Sequence, residues 1–504
     1  MEANCIEFSK TNLFSKKFCE FIDKHKEEPY YPTYNNIERV ANNINCSIDS
    51  RKNLSDAITS QYGDIEIADS VSKNINALRK ENTYTVITGH QLNIFSGPLY
   101  IIYKVISTIK LAEKLNAKYS DKNFIPVYWM ASEDHDFDEI KTFFSKGKTY
   151  EWDINPSGAV GGIDPSSIKK LAGMIPDSIK VFEDAYSTSS TLSEAVRKYM
   201  NALFSSYGLV VFDPDSKALK ASVKELMRSD VFDNTISKVE DSSEKKSDVY
   251  VRKINFFYMK KGLRERIESL KDKFIVKESG ITFTKEEMEN EINRNPERFS
   301  PNVVMRCLYQ QMIMPNVAYI GGPAEVVYWL SFRKFFEKYD EEFPVIVPRD
   351  SALIISHKST KTIDKYGLNL QDIFSGKNNI EKKSLGVLED GDKNFSSEIK
   401  NIREQFDLIA SKYKSVDKTM SPHVLANAKK TEKMLTQVEK RFIKSQKDQN
   451  KILVDRVEDL FYECFPEGTP QERKDNIMSF YGSTFIEDLH DILDPMELKF
   501  KIIK

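Results

Sequence analysis

Four ionisable side chains follow one another after the apolar segment FIPVYWMA: Glu133, Asp134, His135 and Asp136. Neighbouring carboxylates raise one another's pKa, and a histidine among them holds its proton more tightly, so the cluster has the chemistry of general acid–base catalysis. The same ligands would suit Mg²⁺, Mn²⁺ or Zn²⁺, and a solvated acidic loop that caps a helix is the structural alternative. Because successive strand residues point to opposite faces, we expect only two of the four to face one site.

A second candidate site lies where the apolar segment TVITG gives way to His90, Gln91 and Asn93 and then to a helix that starts behind Gly97-Pro98. Proline suits the first helical position, where a missing N–H costs nothing. A helix N-terminus attracts carboxylate or phosphate, and ligands of open parallel sheets bind beyond the carboxyl ends of the strands. Gly89 would let a ligand approach closely. We therefore predict an anionic ligand at this turn.

The same layout recurs later in the chain, as Gly97-Pro98 followed by Tyr103 and as Gly322-Pro323 followed by Tyr328. Either turn alone is equally well explained by the ease with which Gly-Pro starts a helix, but the recurrence favours a pair of ligand-binding turns. Neither turn contains GxGxxG or GxxxxGK[ST], so a nucleotide would be held in another manner. The further ligand contacts predicted at the two turns are Tyr100, Gly321, Gly322, Glu325 and Tyr328.

Three cationic residues near these segments could bind an anionic group. Arg306 shares a helix with Gln310 and could grip a carboxylate or phosphate through two parallel hydrogen bonds. Arg349 follows the apolar segment FPVIVP, although an arginine there is as often part of a structural ion pair. Lys104 lies on the helix behind the first turn. The sequence has no Ser-His-Asp or Cys-His signature that would support covalent catalysis.

From residue 83 onward, short apolar segments alternate with helical patterns, which predicts βαβ units and a Rossmann-like α/β core with a parallel sheet buried on both faces. We assign residues 83–214 to the first part of this core and residues 301–380 to the second part. Residues 215–300 are highly charged and predict a mainly helical insertion. Residues 1–82 predict an N-terminal helical segment that packs on the core.

Residues 385–465 carry two heptad patterns, one from Phe395 to Val416 and one from Val424 to Ile452, with Ser421 and Pro422 as a plausible helix start. Two such helices joined by a short turn form an antiparallel coiled-coil hairpin. The exposed faces of such hairpins commonly recruit a second copy, so we predict a homodimer; a long arm that packs only on its own chain is the alternative. Residues 466–504 are expected to return to the core.

Composition excludes several classes of protein. The 504 residues allow two or three domains, and a formal net charge of −2 gives no support for nucleic-acid binding. The five cysteines show no CxxC spacing, so neither a disulfide framework nor a zinc ribbon is indicated and a reducing cytoplasm fits best. No apolar segment has the length of a signal peptide or a membrane span, so we expect neither export nor membrane insertion.

The segments TGHQ, SGPLY, PVYWMASEDHDFDEI, MRCLYQQMIMPNVAYIGGPAEVVYW and PVIVPR occur in an order that resembles the cysteine-adding enzymes of bacillithiol biosynthesis. This resemblance implies a Rossmann-like core with inserted segments reminiscent of class I aminoacyl-tRNA synthetases, and a coiled coil used for dimerisation. It also implies ligation of cysteine to the malyl carboxylate of glucosaminyl-malate, and binding of an adenine nucleotide, ATP or ADP. Many relatives read TGQQ here, so His90 either replaces an amide or adds acid–base capacity.

Three functions remain open on the sequence alone. The first is the cysteine ligase, in which Lys104 and Arg306 would stabilise a leaving phosphate while His135 or Asp136 assists proton transfer. The second is an adenylate-forming or nucleotidyl-transferring enzyme that acts on another small acid. The third is a dimeric binding or scaffold protein that acts through its coiled coil.

Overall fold

The computed structural model describes residues 2–24, 26–173, 175, 179–386, 395–417, 419, 421–482 and 484–504. The strands are β1 Ala3–Ile6, β2 Thr83–His90, β3 Asn123–Met130, β4 Thr142–Ser145, β5 Lys148–Glu151, β6 Val210–Phe212, β7 Phe256–Lys260, β8 Leu263–Leu270, β9 Lys273–Val276, β10 Thr282–Thr284, β11 Phe299–Pro301, β12 Asn316–Gly321, β13 Val345–Pro348, β14 Ser351–Ile354 and β15 Phe500–Ile503. The α-helices are α1 Lys16–Lys24, α2 Tyr34–Asn43, α3 Ile48–Tyr62, α4 Asp69–Ala77, α5 Leu99–Lys118, α6 Ile168–Ala172, α7 Lys180–Ser187, α8 Leu192–Phe204, α9 Lys217–Ser222, α10 Lys224–Val231, α11 Thr235–Ser242, α12 Lys285–Arg294, α13 Val303–Ile313, α14 Pro323–Ser331, α15 Arg333–Lys338, α16 His357–Lys365, α17 Lys377–Ser384, α18 Ser396–Lys414, α19 Ser421–Gln449, α20 Lys451–Cys464, α21 Gln471–Lys474 and α22 Phe485–Ile492.

The core is a parallel sheet in the order β13-β12-β2-β3-β6. Its first strand in sequence, β2, lies in the middle. The chain winds outward on one side through β3 to β6, then returns to β12 and ends at β13 on the other side. This doubly wound order creates a switch point between β2 and β12, where the connections leave in opposite directions. The structure confirms the predicted Rossmann-like core.

The parallel sheet is buried on both faces. Neighbouring residues of one strand belong to different apolar clusters: Val86 and Ile320 to one, Ile87 and Tyr319 to the other. All four side chains are fully buried. Full burial of such a side chain stabilises the fold by about 1.5–3 kcal/mol. The near-continuous apolar strands of the sequence therefore have a packing partner on each side.

The insertion contains a second sheet as well as helices. Strands β7 to β11 form an antiparallel sheet in the order β10-β9-β8-β7-β11, beside helices α9 to α12. The prediction of a mainly helical insertion did not include this five-stranded sheet. In β8, LRERIESL, charged and apolar residues alternate only weakly. Ile267 is the one residue of this strand that is fully buried, so the other positions need no apolar side chain. A strand that is mostly open to solvent lacks the alternation on which prediction depends.

The C-terminal region begins with an antiparallel hairpin of α18 and α19. Arg403 Nη1 contacts Glu432 Oε1 at 2.8 Å, and the rings of Phe395 and Phe442 lie 5.4 Å apart. The predicted second helix is two helices, because Asn450 leaves the helical conformation with φ −110° and ψ 38°. The rest of that heptad pattern therefore lies on α20, which packs on α16 and α17.

The two ends of the chain meet in a small sheet. Strand β15 lies between β1, to which it is antiparallel, and β14, to which it is parallel. Strand β14 directly follows the core strand β13, so the C-terminal segment packs against the core. Helix α2 of the N-terminal segment packs on β12 and β13. Among the described residues, no helix combines the length and the apolar character that a membrane span requires.

Candidate active site

A cavity of about 410 Å³ lies at the carboxyl edge of the parallel sheet. Residues at or just beyond the ends of its five strands line the wall: His90 for β2, Ala131 for β3, Pro214 for β6, Gly322 for β12 and Arg349 for β13. Ligands of open α/β sheets bind at this edge, near the switch point. The cavity is therefore the candidate site.

The structure brings many of the predicted residues to this cavity and leaves others outside it. The predicted residues that line it are Gly89, His90, Gln91, Tyr100, Glu133, Asp134, Arg306, Gly322, Glu325, Tyr328 and Arg349. The predicted residues outside the lining are Asn93, Gly97, Lys104, His135, Asp136, Gln310 and Gly321.

Lys104 forms a buried ion pair behind the wall. Its Nζ donates to Glu325 Oε2 and to the Gly89 carbonyl oxygen, both at 2.6 Å. Burial alone would raise the pKa of Glu325, but the charge of Lys104 and the hydrogen bonds from Lys104, Gly322 and Tyr319 lower it to about 2. Lys104 thus joins β2 to α14 behind the wall, and its assignment as a catalytic residue stays a prediction.

His90 is neutral and hydrogen-bonded on both ring nitrogens. Nδ1 lies 3.4 Å from the Gln91 carbonyl oxygen, which can only accept, and Nε2 lies 2.9 Å from the Tyr100 hydroxyl. Nε2 therefore accepts the hydroxyl proton. Burial, aided by the charge of Lys104, lowers the pKa of His90 to about 4. Burial also raises the pKa of Tyr100 to about 12. The pair is an uncharged part of the wall.

Glu133 is held by a lysine from the insertion. Lys220 of α9 is buried, forms an ion pair with Glu133, contacts Asp215 Oδ1 at 3.3 Å and donates to the Glu297 carbonyl oxygen at 3.0 Å. Burial raises the pKa of Glu133, while the charge of Lys220 opposes that shift. No spacing in the sequence distinguishes Lys220 from the other lysines of the insertion. The insertion therefore supplies the counter-charge of a wall carboxylate.

Asp134 closes the turn that follows β3. Its Oδ1 accepts from the backbone N–H groups of His135 at 2.7 Å and Asp136 at 3.3 Å, and its Oδ2 accepts from Gln91 Nε2 at 2.8 Å. Burial alone would raise the pKa of Asp134, but these hydrogen bonds and the charge of Arg264 hold it below the usual range. Asp134 is thus an ionised wall residue in a fixed position.

His135 and Asp136 lie beside the cavity. His135 Nδ1 contacts Arg264 Nη1 at 2.6 Å, and the Asp136 side chain is exposed. The turn closed by Asp134 directs the chain away from the sheet after only two wall carboxylates. Of the four residues, Glu133 and Asp134 line the cavity, while the catalytic assignment of His135 and Asp136 stays a prediction.

Arg264 of β8 lines the cavity from the inserted sheet. Its Nε donates to Ser300 Oγ at 2.9 Å, its Nη2 donates to the Pro301 carbonyl oxygen at 3.2 Å, and its guanidinium lies 4.0 Å from the ring centroid of Phe257. Sequence reasoning missed this residue because it lies in the strand whose pattern was not recognised. The inserted sheet therefore forms one side of the site.

The first Gly-Pro turn is covered by the C-terminal segment. The Leu99 N–H, at the start of α5, donates to the Asp475 carbonyl oxygen at 2.8 Å, and Asn476 Nδ2 donates to the Gly97 carbonyl oxygen at 2.7 Å. Gly97 lies outside the lining for this reason. The prediction that this turn presents its helix end to a ligand is wrong, although Tyr100 of the same helix lines the cavity.

The second Gly-Pro turn faces the cavity. Gly322, Pro323, Ala324 and Glu325 all line it, and the Gly322 N–H donates to Glu325 Oε2 at 2.7 Å. The positive end of α14 is therefore at the wall, where it favours negative charge. The two turns share a sequence pattern but differ in what covers them.

Arg306 lines the cavity as a cation. Among the described residues, no carboxylate lies in salt-bridge contact with it. Its Nη1 donates to Gln310 Oε1 at 3.2 Å and its Nη2 to the Tyr319 hydroxyl at 3.4 Å. Its guanidinium lies 5.8 Å from the ring centroid of Trp329. Gln310 is thus a positioning residue for Arg306, and the arginine is available to an anionic ligand.

Arg349 and the C-terminal segment meet at the opposite part of the wall. Arg349 binds Glu472 with two hydrogen bonds, Nη1 to Oε2 at 3.0 Å and Nη2 to Oε1 at 2.8 Å. The next residue, Arg473, lines the cavity. Sequence reasoning did not assign Arg473, nor the lining residues without charge, which are Trp129, Ala131, Pro214, Pro301, Asn302, Val303, Pro323 and Ala324.

The described residues contain no group of three or more His, Cys, Asp or Glu side chains arranged to hold a metal ion. The wall carboxylates Glu133 and Asp134 bind Lys220 and Gln91, respectively.

Comparison with known proteins gives matches over the whole chain. Residues 1–350 match the family model "Bacillithiol biosynthesis BshC, N-terminal Rossmann-like domain", and residues 352–504 match "Bacillithiol biosynthesis BshC, C-terminal coiled-coil domain". Three relatives carry the name "Putative cysteine ligase BshC". The protein of Flavobacterium johnsoniae is 36% identical, and the match covers 100% of both chains. The protein of Christiangramia forsetii is 35% identical over 100% of this chain and 99% of the relative. The protein of Salinibacter ruber is 28% identical over 88% of this chain and 87% of the relative.

Proposed function

Because this chain belongs to the BshC family of bacillithiol biosynthesis, we propose that it is a ligase that joins cysteine and glucosaminyl-malate through an amide bond. The observation that carries the proposal is the cavity wall, where Arg306 lacks a carboxylate partner among the described residues and the positive end of α14 faces the same space. Such a wall favours an acidic small molecule.

The reaction forms an amide, and a free carboxylate does not react with an amine unaided. We propose an adenine nucleotide as the co-substrate that activates the reacting carboxylate by transfer of a phosphoryl or adenylyl group to one of its oxygens. The amine of the other substrate then attacks the acyl carbon, the oxygen leaves with the transferred group, and the nitrogen loses its protons. The cavity volume of about 410 Å³ lies in the range of about 300–1,000 Å³ that is usual for small-molecule sites.

Two wall residues have roles in this proposal. Arg306 would stabilise the negative charge that develops on the activated group, because it is preorganised by Gln310 and Tyr319. Glu133 would accept a proton from the ammonium group of the attacking substrate, because burial raises its pKa above that of an ordinary glutamate. Asp134 stays ionised and would attract the ammonium group before that transfer.

Assembly and location are part of the same proposal. The α18–α19 hairpin exposes large apolar side chains, among them Leu408 at 56% and Val416 at 87%, which fits a homodimer formed through the coiled coil. A cysteine-using ligase suits the cytoplasm, where thiols stay reduced, and the five cysteines are unpaired in the structure.

The test is a reconstituted reaction with glucosaminyl-malate, cysteine and ATP, followed by mass spectrometry of the product and of the released AMP or ADP. We expect the cysteinyl amide only when all three reactants are present. Arg306→Gln should lower kcat/KM by about 10²-fold or more, the usual cost of removing a preorganised donor from a developing charge. Arg294→Gln, on the exposed face of α12, serves as the matched control and should behave like the wild type.

Wild-type kinetics in a correctly folded Arg306→Gln variant would contradict the site assignment. Release of AMP or pyrophosphate with a different acid, and not with glucosaminyl-malate, would instead identify an adenylate-forming enzyme with another substrate.

A further inference from the structure

Tyr100 brings a phenol hydroxyl to the cavity wall from the first turn of α5. This hydroxyl lies 2.9 Å from Nε2 of His90, which also lines the cavity. Burial raises the pKa of Tyr100 to about 12, so the hydroxyl keeps its proton at neutral pH. The direction of that single proton decides whether Tyr100 offers a ligand a donor or an acceptor.

The ring proton of His90 settles this direction. Burial lowers the pKa of His90 to about 4, so the ring carries one proton at neutral pH. Nδ1 lies 3.4 Å from the Gln91 carbonyl oxygen, which can only accept, so the proton is on Nδ1. Nε2 is then an acceptor, and the Tyr100 hydroxyl donates its proton to it. Tyr100 therefore has no proton left for a ligand.

The oxygen of the Tyr100 hydroxyl still has the capacity to accept. A phenol oxygen accepts hydrogen bonds as well as donating one. The contact with His90 is the one hydrogen bond of this hydroxyl among the residues that the structure describes. Tyr100 is half-buried and lines the cavity, so a ligand in the cavity is the partner within reach. This part of the wall therefore suits a ligand group that donates.

The charges around Tyr100 favour a neutral donor over a cation. Burial has the largest effect on the pKa of Tyr100, and Arg349 is the strongest of the charges that act on it. The Arg349 guanidinium lies 5.2 Å from the centroid of the Tyr100 ring. Arg473 adds a second positive charge, and the carboxylates of Glu325 and Glu139 each act more weakly than the arginine they oppose. An ammonium group would be repelled here, whereas a hydroxyl would not.

We propose that Tyr100 selects a substrate hydroxyl, which donates to its phenol oxygen, and that His90 is the positioning residue that fixes Tyr100 as an acceptor. This inference rests on the proposed function, in which the hydroxyl belongs to the sugar of glucosaminyl-malate. The donors then follow one order: sugar O–H to Tyr100, Tyr100 O–H to His90 Nε2, and His90 Nδ1–H to the Gln91 carbonyl oxygen. An ionised carboxylate has no proton to donate, so it does not compete for this position.

The test combines Tyr100→Phe with analogues of glucosaminyl-malate that each lack one hydroxyl of the sugar. Titration calorimetry measures their binding without cysteine or ATP. Tyr100→Phe should weaken the binding of glucosaminyl-malate by about 5- to 50-fold, as expected when one partner of a buried hydrogen bond is removed. One analogue should bind equally to wild type and Tyr100→Phe, because it lacks the hydroxyl that Tyr100 accepts from. Tyr250→Phe, at a tyrosine that is 76% exposed, is the matched control.

Fluorine in place of that hydroxyl tests the direction of the hydrogen bond. Fluorine cannot donate, so the fluoro analogue should bind the wild type as weakly as the analogue that lacks the hydroxyl. In His90→Leu, Tyr100 loses its acceptor and can turn its proton to the ligand, so the preference for hydroxyl over fluorine should fall. His90→Gln should restore the preference, because an amide donates and accepts in the same order as the neutral ring.

Each other outcome decides a separate point. If Tyr100→Phe weakens the binding of every analogue as much as that of glucosaminyl-malate, Tyr100 only supports the wall and the inference is overturned. Binding of the fluoro analogue as tight as that of the hydroxyl compound overturns the direction of the hydrogen bond. If glucosaminyl-malate binds but no cysteinyl product forms, the proposed ligation fails and the hydroxyl site is decided by the binding data. A wild type that does not bind glucosaminyl-malate overturns the hydroxyl site.

Discussion

At the scale of single residues, the protonation state of His90 follows from its two hydrogen bonds. Nδ1 donates to the Gln91 carbonyl oxygen and Nε2 accepts from the Tyr100 hydroxyl, so the neutral ring satisfies both contacts without a second proton. A glutamine at this position could likewise donate through its amide nitrogen and accept through its amide oxygen. The geometry therefore favours His90 as a replacement for an amide rather than as an acid or a base.

The pH dependence of stability should reveal this neutral histidine. In the unfolded chain His90 binds a proton below about pH 6.5, whereas in the folded protein it does so only near pH 4, so the folded state loses stability as pH falls through this window. We expect the wild type to lose about 1–2 kcal/mol more than His90→Gln between pH 7 and pH 5. Urea unfolding followed by tryptophan fluorescence measures this, since Trp129, Trp152 and Trp329 all lie outside the coiled coil.

The control for this comparison is His357→Gln, an exposed histidine on α16 that should unfold like the wild type at both pH values. Equal losses in wild type and His90→Gln would show that His90 already carries its proton in the folded state and would restore an acid–base role.

Single residues were predictable where they followed a recognisable strand end. His90, Glu133, Asp134, Gly322 and Arg349 were found in this way, because an apolar segment predicts a buried strand and the parallel strands of a sheet share one carboxyl edge. The cations that line the cavity or pair with its lining residues were not predictable in the same manner. Lys220, Arg264 and Arg473 lie in charged segments far away in sequence, where nothing local distinguishes a wall residue from a solvated one.

At the scale of elements, the turn from β2 to α5 shows what a sequence pattern leaves out. The Gly-Pro pattern predicted the helix start to within one residue, since Pro98 is the N-cap and α5 begins at Leu99. It could not predict that Asn476, nearly 400 residues later, covers that start. The parallel sheet was predictable because its strands are continuously apolar, whereas the inserted antiparallel sheet was not, because its longest strand, β8, is fully buried at only one position.

Gly97 in this turn has a packing role that substitution should expose. Its φ is +63°, and an added Cβ would lie 2.6 Å from Asn93 Cβ and 2.8 Å from Ile101 Cδ1. Gly97→Ala should therefore cost about 3–5 kcal/mol, from backbone strain and overpacking together. Gly367 has a φ of +62° and nothing within 4 Å of an added Cβ, so Gly367→Ala should cost only about 1–2 kcal/mol.

Urea unfolding of the two alanine variants at pH 7 separates the contribution of packing from that of the positive φ. Equal losses of stability would mean that the turn relaxes to accept the extra methyl group, and that Gly97 is needed only for its backbone conformation.

At the scale of the whole molecule, the α18–α19 hairpin projects a surface that a single chain leaves uncovered. Ile409 and Tyr413 are each 44% exposed although they occupy the predicted heptad seam, and Leu408 and Val416 beside them are exposed to a greater extent. Farther along the hairpin, on α19, Met434 and Val438 are also exposed. Apolar side chains spaced by three and four residues form one stripe of a helix, which is the surface that a second coiled coil would cover.

The stripe leads to a prediction about the oligomeric state. The double variant Ile409→Asp with Tyr413→Asp should convert the proposed homodimer into a monomer, because burial of two carboxylates in an apolar seam costs several kcal/mol. Light scattering after size-exclusion chromatography measures the mass directly, and Ser411→Asp, on the same helix, is the control for added charge. Since the cavity is built from one chain, the monomer should retain ligase activity. A variant that stays dimeric would place the contact elsewhere, and a monomeric wild type would leave the arm packed only on its own chain.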